Sequence, residues 1–236
     1  MQEDTARRLR DLNRSFYERF AEPFAESRET PQPGWARMLA DAPAAGPATV
    51  LDVGCGDGRF GRYLRSRWPS VAYTGIDFSA GLLARARELD PAGIYLLRDL
   101  TEASALAELG AFDAVFCLST LQHIPERSRR LGLLRAMAGH LGHNGYITLA
   151  NWQFATNERQ QRKIRSWAEA GVEPDMVEPG DYLLSWERGG RGLRYVAQID
   201  EAETRKLAAE AGLRVVASFL SDGREGDLNL YSFLVR

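Results

Sequence analysis

The chain is poor in cysteine and histidine, almost without lysine, and free of long hydrophobic runs. Its two cysteines, Cys55 and Cys117, are too few for a disulfide framework and lack metal-ligand spacing, so both are expected to be reduced packing residues. No stretch approaches the length an apolar helix needs to cross a bilayer, and no apolar leader opens the N-terminus. A soluble, cytoplasmic protein with no membrane partner is the expectation. Lys163 and Lys206 are the only lysines, which leaves arginine, the better fork for carboxylates and phosphates, to carry the positive charge. A formal net charge of −2 excludes the strongly basic surface of a non-specific nucleic-acid binder, though not a local patch. Internal repeats are also missing, and the one linker-like stretch runs from Asp41 to Pro47.

The most informative segment that is present runs from Val50 to Phe60, where an apolar strand meets a glycine-rich turn that opens a helix. Glycines there let the backbone turn sharply and approach a ligand closely, as in loops that hold nucleotide cofactors. Gly56 to Gly61 even satisfies the dinucleotide spacing. A pyrophosphate at the helix N-terminus would, however, meet the carboxylates of Asp52 and Asp57. S-adenosylmethionine carries a sulfonium and an ammonium and no phosphate, so the acids suit it better. The next strand, Ala72 to Asp77, ends in a carboxylate where a parallel βαβ unit presents it to a ribose. A third, Ile94 to Leu97, is followed by Asp99, which can face an adenine amino group or start a helix.

From about residue 48 to 150 the chain resembles class I S-adenosylmethionine-dependent methyltransferases. Asp52, Gly54, Gly56 and Gly58 match the first motif, Asp77 the ribose-binding acid, Asp99 the adenine contact, and Phe112 to Ile124 the fourth-strand motif. The resemblance implies a Rossmann-like, doubly wound, mostly parallel seven-stranded sheet with a C-terminal antiparallel hairpin and an N-terminal helical lid. It also implies S-adenosyl-L-methionine as cofactor, with S-adenosyl-L-homocysteine as product, and donor contacts from Tyr17, Arg28, Phe78, Leu100 and Leu118. One domain over 1–236 is expected: a lid (1–45), a cofactor-binding core (48–151), a substrate insertion (152–198), and a closing helix and hairpin (199–236).

The local patterns agree with that plan. Leu9, Leu12, Phe16 and Phe20 give helical spacing over about Thr5 to Ala21, and a short helix is expected from Trp35 to Leu39. Strands then alternate with helices up to Ala150, which implies a mostly parallel sheet with ligands at its C-terminal edge. A helix from Arg127 to Leu141 and a fifth strand from Tyr146 to Asn151 end this part. His140 and His143 lie at that helix's C-terminus, where cationic or hydrogen-bonding side chains are common, so they carry no catalytic or metal role. Tyr182 to Ile199 reads as a hairpin turning at Gly189-Gly190, Glu201 to Ala211 as a helix, and Leu213 to Val235 as a second hairpin.

A narrower similarity links both ends of the chain to the eukaryotic transfer-RNA carboxymethyluridine methyltransferases. Tyr17, Phe24, Ser27, Arg28, Pro31 and Pro33 match an N-terminal segment, while Gly180-Asp181, Trp186 and Arg194-Tyr195 match one near the far end. Gln32 stands where that family has Trp, Gln122-His123 where it often has paired histidines, and Asn229-Leu230-Tyr231 where it has an Asn-Trp pair. This similarity implies a carboxylate acceptor, such as a transfer-RNA wobble uridine side chain, and raises the prospect of a small activating subunit. The alternatives are a small-molecule O- or N-methyltransferase and a non-catalytic S-adenosylmethionine-binding protein.

Methyl transfer is an in-line displacement whose acceleration comes largely from alignment. A carboxylate acceptor is ionised at neutral pH and needs no base, whereas a hydroxyl or amine does. His123 is the candidate base, with orientation of its loop as the other role. Arg28 is either a lid residue pairing with the methionine carboxylate or a surface arginine. Asn151, Trp152, Trp186 and Arg194 are the substrate-facing candidates, in a region where arginines alternate with aromatics as in base-stacking surfaces or simply as solvated charges on a hairpin.

Overall fold

Strands that read as near-continuous apolar runs are buried on both faces, the pattern of a parallel sheet covered by helices. Five parallel strands run through the computed structural model, which describes residues 1–22, 30–40, 42 and 44–236: β1 (Thr49–Val53), β2 (Ala72–Asp77), β3 (Ile94–Leu97), β4 (Phe112–Leu118) and β5 (Leu141–Trp152), of which β3 is the sheet edge and keeps Ile94 and Leu97 exposed. All pair in parallel, and the order reverses beside β1, so that β1 lies between β2 and β4. Two antiparallel strands, β9 (Arg214–Ser221) and β10 (Asn229–Val235), complete a seven-stranded sheet in the order β3-β2-β1-β4-β5-β10-β9. The fold is thus the expected α/β Rossmann-like mixed sheet with a C-terminal hairpin.

The helices are α1 (Glu3–Arg19), α2 (Pro33–Met38), α3 (Arg59–Arg67), α4 (Ala80–Leu89), α5 (Arg127–Gly139), the short α6 (Glu158–Gln161) and α7 (Glu201–Glu210). Their starts follow local chemistry: Ser79 caps α4 by accepting from the Leu82 amide, and Asp200 caps α7 by accepting from Glu203. Period-two alternation along β1 sends Leu51 and Val53 into the core on one face and Val50 into the core on the other. Asp52 shares the Val50 side. Among the described residues no helix is long and apolar enough to cross a membrane.

Three local expectations change. Leu97 is not followed by a helix, because the Asp99 carboxylate folds back to accept from the Thr101 amide and hydroxyl at 2.9 and 2.7 Å, and the chain continues in turns. Helix α5 stops at Gly139, where His140 caps it and places Nδ1 3.0 Å from the Gly110 carbonyl. Strand β5 starts at Leu141 rather than Tyr146, since Leu141 pairs with Phe112 and a register shift absorbs the Asn144-Gly145 turn.

The insertion forms a second, antiparallel sheet of β6 (Ile164–Arg165), β7 (Asp181–Trp186) and β8 (Gly192–Ala197). Its hairpin turns where predicted, with Gly189 and Gly190 at φ 71° and 128°. Helix α1 lies against β8, tied by Asn13, whose side chain bonds both the amide and the carbonyl of Tyr195.

Candidate functional site

A pocket opens along the C-terminal ends of β1 to β4, beneath α1. Its floor is the loop after β1, where Gly54 adopts φ 82° and an added Cβ would stand 2.1 Å from Thr120 Oγ1. Gly58 begins α3 at φ 71° and lies close under Tyr95, so a side chain there would strike the ring hydroxyl. These two positions need glycine for both conformation and space. Gly54, Gly56, Asp57 and Arg59 line the pocket from this loop, while Gly58 supports it from behind.

Asp77 and Phe78 line it from the end of β2. The buried Asp77 carboxylate accepts from the Gly56 amide and the Ser79 amide, each at 2.9 Å, which clamps the glycine loop to β2. Burial raises its pKa while those amides oppose the rise. Asp99, Leu100 and Thr101 follow β3, and Asp99 is paired with Arg14 of α1 at 2.6 Å. Leu118, Ser119, Thr120, His123 and Ile124 follow β4, and Trp152 closes the side beside β5.

His123 sits under α1. Its Nδ1 lies 3.2 Å from the Tyr195 carbonyl and its Nε2 lies 3.0 Å from the Tyr17 hydroxyl. A carbonyl can only accept, so Nδ1 carries the proton and a neutral ring receives the Tyr17 proton at Nε2. The ring is therefore oriented from both nitrogens, and its one basic lone pair already has a donor. Tyr17 in turn meets Phe16 and Phe78 edge-on, with ring centroids 5.1 and 5.8 Å away.

Several expected positions stand elsewhere. Asp52 does not line the pocket: alternation turns it to the opposite side of β1, where it accepts from Tyr73 Oη at 2.6 Å. Burial, more than the neighbouring Asp77, pushes its pKa up to about 7, with the Tyr73 bond opposing the rise. Asn151 is buried within β5, one residue before Trp152, and alternation faces it away from the pocket lining. Trp186 and Arg194 form a layer behind Tyr17 and Trp152 rather than part of the lining. Phe24, Ser27 and Arg28 lie outside the described residues.

Sequence reasoning missed Asn13, Arg14 and Ser119. Asn13 interrupts the apolar stripe of α1 one turn after Leu9, and a polar residue on a buried stripe is itself a signal. Ser119 adopts φ 58°, uncommon for a residue with a side chain, and its Oγ accepts from Trp152 Nε1 at 3.1 Å. No composition or spacing pattern announces that backbone.

Acids and arginines both line the pocket. Asp57, Asp77 and Asp99 share the lining with Arg10, Arg14 and Arg59; Asp99 pairs with Arg14 and Asp57 with Arg62, which leaves Asp77, held by backbone amides, as the carboxylate that can meet the hydroxyl or cationic groups of a ligand. Among the described residues no cluster of side chains has the makings of a metal site.

Residues 51–147 match the family model of the methyltransferase domain. A trans-aconitate 2-methyltransferase of an Azoarcus species is 32% identical over 226 residues, covering 79% of this chain and 86% of that protein. One from Escherichia coli is 28% identical over 168 residues, covering 70% of this chain and 63% of that protein. These relatives are named for a small acid, which does not favour the transfer-RNA group. Among solved structures, a DhpI complex with S-adenosylmethionine superposes with a TM-score of 0.69 at 17% identity, covering 97% of this chain and 98% of that one. A chain whose glycine loop, strand-end carboxylate Asp77 and sheet order all fit S-adenosylmethionine, and whose sequence aligns with a methyltransferase over most of both proteins, belongs to the class I S-adenosylmethionine-dependent methyltransferases.

Proposed function

We propose that this enzyme methylates a carboxylate oxygen of a small organic acid, of the kind for which its trans-aconitate 2-methyltransferase relatives are named. The observation that carries this reading is the alignment with the Azoarcus protein, which extends through 79% of the chain and so takes in more than the shared cofactor core. The character of the pocket supports it. The acids cluster by the glycine loop, whereas Ser119, Thr120, His123, Tyr17 and Trp152 at the other end bring hydroxyl, imidazole and aromatic groups and no carboxylate.

When bound, S-adenosylmethionine supplies a methyl group made electrophilic by its sulfonium. Asp77 is the residue to hold the ribose hydroxyls, since its carboxylate keeps lone pairs beyond those used by the two amides. Asp99 and Leu100 are the residues we assign to the adenine, and Phe78 and Leu118 to apolar contact with the donor, since all four line the pocket. Asp52 acts indirectly, stiffening the loop through Tyr73. In the transfer the new bond joins methyl carbon to carboxylate oxygen as the carbon–sulfur bond breaks, and no proton moves. His123 then has the task of positioning Tyr17 rather than removing a proton.

The test is transfer of a labelled methyl group into trans-aconitate, a metabolite extract and total RNA in parallel. Base-labile label in a small acid is the expected outcome. Label appearing in RNA alone would overturn the proposal, and base-stable label in a small molecule would move the acceptor to nitrogen or a hydroxyl.

A further inference from the structure

Arg194 projects from β8 into the space between α1 and the end of β5. It is 3% exposed, and its guanidinium carbon lies 4.4 Å from the ring centroid of Trp152, 5.2 Å from Phe16 and 5.4 Å from Trp186. Among the described residues no carboxylate pairs with it, and its Nε and Nη1 have no acceptor. Burial lowers its pKa, and the nearby Tyr17 hydroxyl is the group that opposes this.

A buried guanidinium normally comes with a carboxylate, because the faces of aromatic rings replace only part of the hydration it loses. Nearby, Arg130 has what Arg194 lacks: it donates to the Ile124 carbonyl and to Tyr195 Oη, and pairs with Glu178. The unmatched cation is also in a telling place. Two of its neighbours, Tyr17 and Trp152, line the pocket at the end away from the acidic glycine loop. An anion entering between those rings would find the donors that the fold leaves unmet.

We propose that Arg194 is the receptor for a second carboxylate of the acceptor, so that the enzyme selects short-chain polycarboxylates over monocarboxylates. The inference rests on the carboxylate-methylating reading for its place in the reaction but not for its test. A short acid with neighbouring carboxylates presents one of them towards His123 and Tyr17 and delivers another to Arg194. The preference follows from charge: a monocarboxylate leaves either the guanidinium unpaired or the transfer position empty.

The experiment is calorimetric titration of the S-adenosylhomocysteine-loaded protein with trans-aconitate, which has three carboxylates, and with crotonate, which has one. The wild type is expected to bind trans-aconitate at least tenfold more tightly. Arg194→Met is expected to weaken trans-aconitate about 100-fold while leaving crotonate and S-adenosylhomocysteine within about threefold. Equal binding of the two acids by the wild type, or unchanged trans-aconitate affinity in Arg194→Met, overturns the proposal. Thermal melting of the ligand-free proteins separates a receptor from a structural cation. Arg194→Met, or Arg194→Gln if the first variant does not fold, is expected to melt at or above the wild-type temperature, and a clear loss in both variants overturns the proposal. Selective binding through Arg194 without methyl transfer would sink the carboxylate-methylating reading alone. Ester formation by Arg194→Met with unaltered KM would sink the receptor alone.

Discussion

Asp52 and Asp77 end adjacent strands, yet they do different work because one faces Tyr73 and the other faces the glycine loop. Asp77→Ala removes a loop clamp and the proposed ribose acceptor together. The expected result is a rise of about 100-fold in the dissociation constant for S-adenosylhomocysteine, measured by calorimetry. An unchanged constant would exclude the ribose role. Asp52 makes a prediction about pH. Its folded pKa, about 7, stands above the 3.8 of an aspartate in the unfolded chain, so the folded state binds the proton more tightly. That contribution to stability is complete below pH 3.8 and is lost as pH rises through 7. Asp52→Asn keeps an acceptor for Tyr73 and has no such loss. From pH 5 to pH 8 its stability relative to wild type is expected to improve by about 2 kcal/mol, read from urea midpoints. A constant difference across that range would show that Asp52 stays ionised.

At the scale of elements, α1 is the decisive piece, because it brings Tyr17, Arg14 and Asn13 over a pocket otherwise built from strand ends. Its apolar face supplies the burial, and Asn13 sets its register by bonding the His123 carbonyl and both backbone groups of Tyr195. Asn13→Ala removes all three of these bonds, leaving the Tyr195 amide without its side-chain acceptor and the Tyr195 carbonyl to the His123 ring. A loss of about 2–4 kcal/mol in urea unfolding is expected, with faster amide exchange along α1. Retained stability would mean that the helix is held by its apolar stripe alone. The insertion sheet belongs to the same assembly, since β8 carries Arg194 against Phe16 of α1 and Trp152 of β5 and Tyr195 into the core.

For the whole molecule, the insertion is joined to the main sheet by a buried polar relay. Tyr195 Oη donates to Asp181 at 2.6 Å and accepts from Arg130 of α5 at 2.9 Å. Burial raises the pKa of Asp181, and the Tyr195 bond is the largest opposing influence. Tyr195→Phe is expected to cost about 1–3 kcal/mol in a single cooperative transition. Separate melting of the insertion would show that the relay does not couple the two parts. The charge distribution also bears on the acceptor. In the insertion Arg191 pairs with Glu169, Arg165 with Glu187, and Arg194 is buried. Arginines held in this way are not available to a nucleic acid, while Arg159, Arg162 and Arg188 of the same region are exposed.

Much of this was readable along the chain because it depends on local chemistry. A glycine loop after a strand, acids at successive strand ends and a Gly-Gly turn are specified by residues a few positions apart, and so the cofactor and the hairpins could be read from them, whereas the strand order came with the structure. What remained depended on alternation and on contacts between distant segments. The motif acid Asp52 was legible as an acid at a strand end, but the direction of its side chain follows from the register of β1, which also sends Val50 to that side. The turn after Asp99 replaced a helix because a short side chain captured its own backbone. Among the described arginines only Arg194 becomes an unmatched buried cation, since α1, β5 and β7 each contribute one of the rings that enclose it. Sequence determined the fold class and the donor, because those rest on neighbouring residues. Tertiary packing decided which side chains reach the acceptor end, because burial and partnership there are set by segments more than a hundred residues apart, as in the Tyr17–His123 pair.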